Sequence, residues 1–122
     1  MKPARPDTPA ILATLKDFQR ATVDYVFQRM YLDDEPKRRF LVADEVGLGK
    51  TLVARGLIAR TIDHLWKKVD RIDVVYICSN RDIAQQNINR LNVTRDKSFV
   101  RADRLTLLPI LLKDMRDEKL NF

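Results

Sequence analysis

Phe40-Leu41-Val42-Ala43-Asp44-Glu45-Val46-Gly47-Leu48-Gly49-Lys50-Thr51 is the stretch on which the reading of the whole chain turns. Its apolar run, Phe40 to Ala43, has the character of a short buried strand. A loop with two glycines follows, then Lys50-Thr51, then a helical pattern from Leu52 onward. Strand, glycine loop, Lys-Thr and helix, in that order, form the context that a phosphate-binding loop requires. Phosphates carry several negative charges, so backbone N–H groups must approach them without side-chain obstruction. Gly47 and Gly49 lack a Cβ and permit both the approach and a positive φ. The helix that follows adds unpaired N–H donors and the positive end of its dipole. Lys50 can reach the β- and γ-phosphates as a point charge, and the Thr51 hydroxyl can ligate Mg²⁺. The generic pattern has Gly where this chain has Asp44, and the plainer alternative is a Gly-rich turn ahead of an ordinary helix.

Outward from the loop, the pattern is that of an α/β domain. On the N-terminal side, residues 1–8 are polar and Pro-rich and read as a flexible arm. Thr8-Pro9 offers an N-cap and a first-turn proline for a short helix towards Leu15. A second helix is expected from Asp17, capped by that carboxylate, with Phe18, Ala21/Thr22, Val26 and Met30 at helical spacing. Asp33 to Arg39, acidic and then basic, breaks it as a solvated loop. Gln19 follows an aromatic residue about thirty positions before the loop. Its amide has both a donor and an acceptor, so it can read the two complementary groups on an adenine edge; otherwise it is a solvent-facing Gln beside a core Phe18.

On the C-terminal side, an amphipathic helix is expected over about 50–69. Ile58, Ile62, Leu65, Trp66 and Val69 make its stripe, each such side chain stabilising by about 1.5–3 kcal/mol when fully buried. Gly56 costs roughly 1 kcal/mol of helix propensity relative to Ala, which suggests close packing. His64 sits among polar positions and reads as a surface residue. Ile72 to Cys78 is β-branched and nearly continuous, as a parallel strand buried on both faces should be. Asn80 then caps a helix through Ile83, Ala84, Ile88 and Leu91, with Asp82 in its first turn. Strand, helix, strand at this spacing implies a parallel βαβ unit. The corner Ser79-Asn80-Arg81 lies at the carboxyl end of a strand, where open α/β sheets bind ligands. It makes a phosphate clamp for a nucleic-acid backbone, or simply a capped helix with a solvated Arg. Residues 92–104 are polar and basic (Arg95, Lys97, Arg101, Arg104) and read as a loop. Leu105 to Leu108 suits either a strand or an apolar helix interrupted at Pro109. Residues 113–122 read as a charged tail.

Composition sets the bounds. The chain has 122 residues, 45% hydrophobic and 33% charged, which suits one small soluble domain. A net charge of +6 fits an anionic partner such as nucleic acid. Cys78, the single cysteine, excludes an internal disulfide and points to a reducing, cytoplasmic compartment; its apolar setting suggests a buried strand thiol. The longest apolar stretch, Leu105 to Leu112, is too short to span a bilayer, so no membrane is expected. Met1 to Pro9 has no apolar region of the kind a secretory signal needs. No Cys/His metal set or Ser-His-Asp arrangement is present.

Three stretches resemble one family. Asp44-Glu45-Val46-Gly47-Leu48-Gly49-Lys50-Thr51 looks like motif I of superfamily 2 helicases and translocases, especially the Swi/Snf-like branch. That branch typically has Asp-Glu-Met-Gly-Leu-Gly-Lys-Thr, which also accounts for Asp44 in place of Gly. Leu15 to Gln19 resembles the family's Q motif, whose Gln contacts adenine. Ser79 to Gln86 is similar to motif Ia, usually Pro-Thr-Arg-Glu-Leu-Ala-x-Gln, which contacts the nucleic-acid strand; here Asn80 replaces the Thr. The resemblance spans roughly residues 12–92 and implies the N-terminal part (9–122) of a RecA-like P-loop lobe: two or three parallel strands flanked by helices, with an N-terminal helical segment. It implies ATP and Mg²⁺ as cofactors. Phe18, Gln19, Glu45, Val46, Gly47, Leu48, Gly49, Lys50, Thr51 and Leu52 would hold the nucleotide, with Lys50 and Thr51 carrying the chemistry and Thr51 on the metal. Asn80 and Arg81 would meet nucleic acid, DNA in preference to RNA.

A Walker B acidic motif and a second lobe with its arginine finger are not found in the sequence. Such a finger is worth about 10³–10⁵ in rate, or about 4–7 kcal/mol. The expectation is therefore a chain that holds ATP without appreciable turnover, completed by the remainder of a longer ATPase or a complementing subunit. The alternatives are a stand-alone module binding nucleic acid or a partner through its basic face, and a different P-loop enzyme such as a small-molecule kinase.

Overall fold

A computed structural model of the chain describes residues 5–94, 109–110, 112 and 118–122. The expectations for residues 1–4, for the basic residues Arg95, Lys97, Arg101 and Arg104, for Leu105–Leu108 and for 113–117 lie outside these. The elements, in order, are α1 (Thr8–Ala13), α2 (Asp17–Phe27), a π-helical turn (Gln28–Leu32), α3 (Lys50–Leu65), β1 (Ile72–Asp73), α4 (Arg81–Leu91) and β2 (Leu120–Asn121). The architecture is mixed: helices around a small parallel sheet of two strands, compatible with part of an α/β P-loop lobe. Among the described residues, no helix is long and apolar enough to cross a membrane.

The helical half packs on α3. Val53, Gly56 and Ala59 of α3 face α1, α2 and the link between them, where Leu15 and Val23 are buried. A Cβ on Gly56 would lie 2.9 Å from Leu15 Cδ1 and 3.0 Å from Val23 Cγ2, so close helix approach is the reason for glycine there. Arg60 pairs with Asp24 and lies 4.4 Å over the Phe27 ring, tying α3 to α2 a second time. His64, expected at the surface, is half-buried: its ring meets Phe27 edge-on at 5.5 Å and Tyr31 at the same distance. Lys68, one turn along, meets His64 Nε2 at 2.8 Å.

Several local expectations are corrected. The first helix is capped by Asp7, whose Oδ1 accepts from Ala10 N–H, rather than by Thr8. Thr8 is instead buried and donates to the Ala59 carbonyl. Arg5 pairs with Asp63 at 2.6 Å, so residues 5–8 are docked and not a free arm. Asp17 is the first residue of α2 and pairs with Arg20, while Lys16 occupies the cap position. The buried stripe of α2 is Gln19, Val23, Val26 and Phe27; Phe18 is turned outward and Gln19 inward, the reverse of the pattern read from apolarity alone. α3 ends at Leu65, four residues before Val69.

The strands differ most from expectation. Only Ile72–Asp73 of the run 72–78 sits in a ladder, and its partner is Leu120–Asn121, in parallel register with Ile72 opposite Leu120. Ile72 N–H donates to Lys119 O (2.8 Å) and Val74 N–H to Asn121 O (2.9 Å). Leu120, Asn121 and Phe122, expected in a charged tail, are buried with Ile11, Ile62, Ile72 and Val93 in the second core cluster. The rest of the run alternates: Val74, Tyr76 and Cys78 are half-buried, whereas Val75 and Ile77 are 76% and 88% exposed. It is thus covered on one face, not two. Residues 40–45 join no ladder among the described residues, and Leu41 is 83% exposed. A parallel strand is stable only between neighbours that satisfy its N–H and C=O groups, and no strand lies beside this segment among the described residues.

Candidate functional site

Residues 45–51 form a loop open to solvent at the start of α3. Gly47 and Gly49 adopt φ of +88° and +77°, the left-handed region that L side chains rarely enter. Gly49 is the N-cap of α3, and no side chain caps that terminus, so the dipole's positive end faces the loop uncapped. Its carbonyl accepts from Leu52 N–H (2.9 Å) and Val53 N–H (3.2 Å), which starts the helix. Lys50 Nζ donates to the carbonyls of Asp44 (2.9 Å) and Glu45 (3.0 Å) and so holds the loop's entry against its exit. Thr51 is half-buried; Glu45, Val46, Leu48 and Leu52 are exposed, Val46 almost completely at 98%.

Gln19 is the residue that fastens this loop to the helical half. It is 4% exposed, so the solvent-facing alternative does not hold. Its Oε1 accepts from Lys16 N–H (3.0 Å), half of a capping box at the start of α2. Its Nε2 donates to Leu48 O (3.0 Å) inside the loop. A Cβ on Gly49 would lie 2.5 Å from that same nitrogen. The amide and the glycine therefore need each other: the loop closes on Gln19 only because position 49 has no side chain. Phe18, next to it in sequence, keeps 46% of its surface exposed.

The corner 79–81 stands apart from this cluster. Asn80 Oδ1 accepts from Asp82 N–H (2.9 Å) and Ile83 N–H (3.1 Å), so its acceptor caps α4. Ser79, Asn80 and Arg81 are exposed. Tyr76 Oη accepts from Asn87 Nδ2 at 2.8 Å and fixes α4 against the strand.

Two features were not read from the sequence. One is the open cavity of about 350 Å³ between α2 (Ala21, Thr22, Tyr25, Val26) and residues 40–44, bridged by an edge-on Tyr25–Phe40 contact at 5.8 Å. The exposed spacing of Phe18, Ala21 and Tyr25 on α2 is the signal that could have found it. The other is Arg55, half-buried on α3 with an Nε that is buried and without a hydrogen-bond partner. Helical spacing sets Arg55, with Arg60, Asp63 and Lys67, largely off the apolar stripe of α3, which does not foretell the burial of its Nε.

The model of the family described as "Type III restriction enzyme, res subunit" matches residues 2–114, most of the chain. No curated protein and no solved structure matches.

Proposed function

Because the chain belongs to the type III restriction enzyme res subunit family, a family of superfamily 2 helicase-like ATPase domains, we propose that residues 45–51 bind ATP with Mg²⁺ as part of the first RecA-like lobe of a nucleic-acid helicase or translocase. The family generally uses ATP and Mg²⁺ and acts on nucleic acids within larger complexes. One observation carries the reading for this chain: two positive-φ glycines at an uncapped helix N-terminus, held in place by a buried amide. That is an anion cradle joined to a group able to read a base.

In this reading the N–H groups from Gly47 to Thr51 receive the phosphates. Lys50 leaves the Asp44 and Glu45 carbonyls for them, since a charged acceptor outcompetes a neutral one. Thr51 supplies a hydroxyl to Mg²⁺, whose chemistry is to neutralise charge that builds on the phosphate oxygens. Gln19 keeps a second N–H and a second lone pair for the adenine edge, with Phe18 beside it as a stacking face. Glu45, Val46, Leu48 and Leu52 shape the rim. Asn80 Nδ2, Arg81 and the N-terminus of α4 meet a nucleic-acid backbone, preferentially DNA.

Titration calorimetry with ATP and GTP tests this. Lys50→Ala should weaken ATP binding at least tenfold, and Gln19→Ala should abolish any preference for ATP over GTP. Equal binding of the two nucleotides by the unaltered chain would remove the adenine role of Gln19; unchanged ATP binding by Lys50→Ala would remove the site. The net charge of +6 favours one second reading, a basic module that binds nucleic acid without nucleotide. It predicts salt-dependent DNA binding indifferent to Lys50→Ala.

A further inference from the structure

Gly56 lies about two turns beyond Gly49, roughly 10 Å along α3, yet the contacts around it lead back to the phosphate loop. A Cβ there would meet Leu15 Cδ1 at 2.9 Å, Val23 Cγ2 at 3.0 Å and Leu12 Cδ2 at 3.4 Å. The glycine is thus a notch in which the end of α1 and the link to α2 rest. Leu15 is buried in one cluster with Val23 and Val53, and Val53 N–H donates to Gly49 O. The other end of α1 is fixed to the same helix: Thr8 Oγ1 donates to Ala59 O at 3.3 Å, and Arg5 pairs with Asp63. Residues 56, 59 and 63 follow one another at three- and four-residue spacing, so the N-terminal segment is docked along a single ridge of α3.

The peptide bond from Leu15 to Lys16 carries that docking to the site. Lys16 N–H donates to Gln19 Oε1 and Gln19 Nε2 donates to Leu48 O, each at 3.0 Å, and Gln19 is buried. A side-chain amide is planar, with its acceptor and its donors in fixed directions. Turned over, it would set its NH₂ against Lys16 N–H and its oxygen against Leu48 O, so one orientation alone satisfies both partners. The position of Lys16 N–H therefore decides where Nε2 points, and a displaced Leu15 tilts the amide away from the loop. A buried amide that loses one partner is disfavoured, which couples the two hydrogen bonds to each other.

We propose, resting on residues 45–51 as the nucleotide site, that Leu15 and Gly56 are positioning residues for the phosphate loop: the seating of α1 on α3 fixes Lys16, and the Gln19 amide passes that position to Leu48 and Gly49. The affinity of the loop for nucleotide is then set in part by a contact two turns away, between side chains and backbone that touch no nucleotide. Coupling of this kind is reciprocal, so nucleotide on the loop also holds α1 more firmly on α3.

The test compares the 122-residue chain with three variants: Gly56→Ala; Gly56→Ala with Leu15→Val, which lacks the Cδ1 that meets the new Cβ; and Thr8→Val, a milder release of α1. Hydrogen exchange followed by NMR, without nucleotide, reads the Gln19 side-chain N–H groups against the backbone amides of α4. Gly56→Ala and Thr8→Val should each speed exchange at Gln19 about tenfold while α4 stays within about twofold, and adding Leu15→Val should bring the Gly56→Ala rate part of the way back. Equal acceleration at Gln19 and in α4, or none at Gln19, would overturn the proposal, since a glycine needed for packing alone loosens the whole core alike. An acceleration that Leu15→Val leaves untouched would do the same. Calorimetry with ATP reads the consequence for the site: Gly56→Ala should weaken binding about tenfold in the chain that keeps Gln19, and no further in Gln19→Ala. Additive losses would overturn the relay through Gln19. No ATP binding by the unaltered chain, with the exchange pattern as expected, would remove the nucleotide reading and leave the relay standing.

Discussion

Two apolar segments of similar composition, Phe40–Asp44 and Ile72–Cys78, meet different fates. The second starts a ladder because Lys119–Asn121 lies beside it and accepts two of its N–H groups. The first finds no strand among the described residues and is held at one end by Phe40 against Tyr25 and at the other by Lys50 on the Asp44 carbonyl. Apolar, β-branched character makes a segment fit for a strand; only a neighbour makes it one. Beyond Val74 the second segment joins no ladder among the described residues, and Val75 and Ile77 are exposed.

The sharpest way to break this contrast is to remove the neighbour. Phe122 is 8% exposed in the cluster with Ile72, whereas Phe40 is 40% exposed. Phe122→Ala should cost about 3–5 kcal/mol in urea denaturation, and Phe40→Ala about 1 kcal/mol or less. Equal losses would mean that the 40–44 segment is as firmly packed as β1. A smaller effect sharpens how the unpaired segment is held where it enters the loop. Gly49→Ala combines left-handed strain of roughly 1–2 kcal/mol with displacement of Gln19, while Gly47→Ala meets nothing within 4 Å and carries the strain alone. Gly49→Ala should therefore lower the melting temperature further and weaken ATP binding more. Similar behaviour of the two variants would show that the Gln19–Leu48 bond does not hold the loop.

The smallest effect concerns pH at the paired segment. Arg71 Nε donates to both Asp73 oxygens (2.9 and 2.8 Å), and this hydrogen bond holds the Asp73 carboxyl below the usual carboxylate range, against the opposing influence of burial and with help from Asn121. A carboxyl depressed in the folded state stabilises it fully above the unfolded-state value, about 3.9, and loses that contribution as pH falls through the folded value. Asp73 is largely exposed, so solvent screening leaves a few tenths of a kcal/mol at most. Between about pH 5 and pH 3, the unaltered chain should lose slightly more stability than Asp73→Asn, as followed by circular dichroism. Parallel acid curves would assign no role to this pair in the ladder.

What was legible in the sequence is what short-range chemistry decides. The loop glycines, the start of α3 at Lys50 and the Asn80 cap of α4 depend on φ, N–H donors and side-chain reach within a few residues, and all three stand as read. The pairing of β1 with residues 120–121 was not legible, because Leu120-Asn121-Phe122 is too short to show a period and lies 48 positions from its partner. Gln19 stands out in the sequence for its amide but not for its burial, because helical spacing assigns the core face to Phe18. Two residues one position apart differ by about 100° around a helix, and it is packing against α3 that chose between them.

The π turn at Gln28–Leu32, closed by Asp33 N–H to Gln28 O at 3.0 Å, has a consequence for how the chain tolerates changes in length. A π turn is an α-helix with one residue inserted. Deleting a residue from 28–32 returns that turn to α geometry and leaves the buried stripe of α2 in register, so the protein holds one residue of slack there. The same deletion within 17–27 rotates Gln19 or Val26 off the core and detaches the phosphate loop from its helix. Natural insertions and deletions between the N-terminal helices and the loop should accordingly gather at the π turn and the charged residues that follow it.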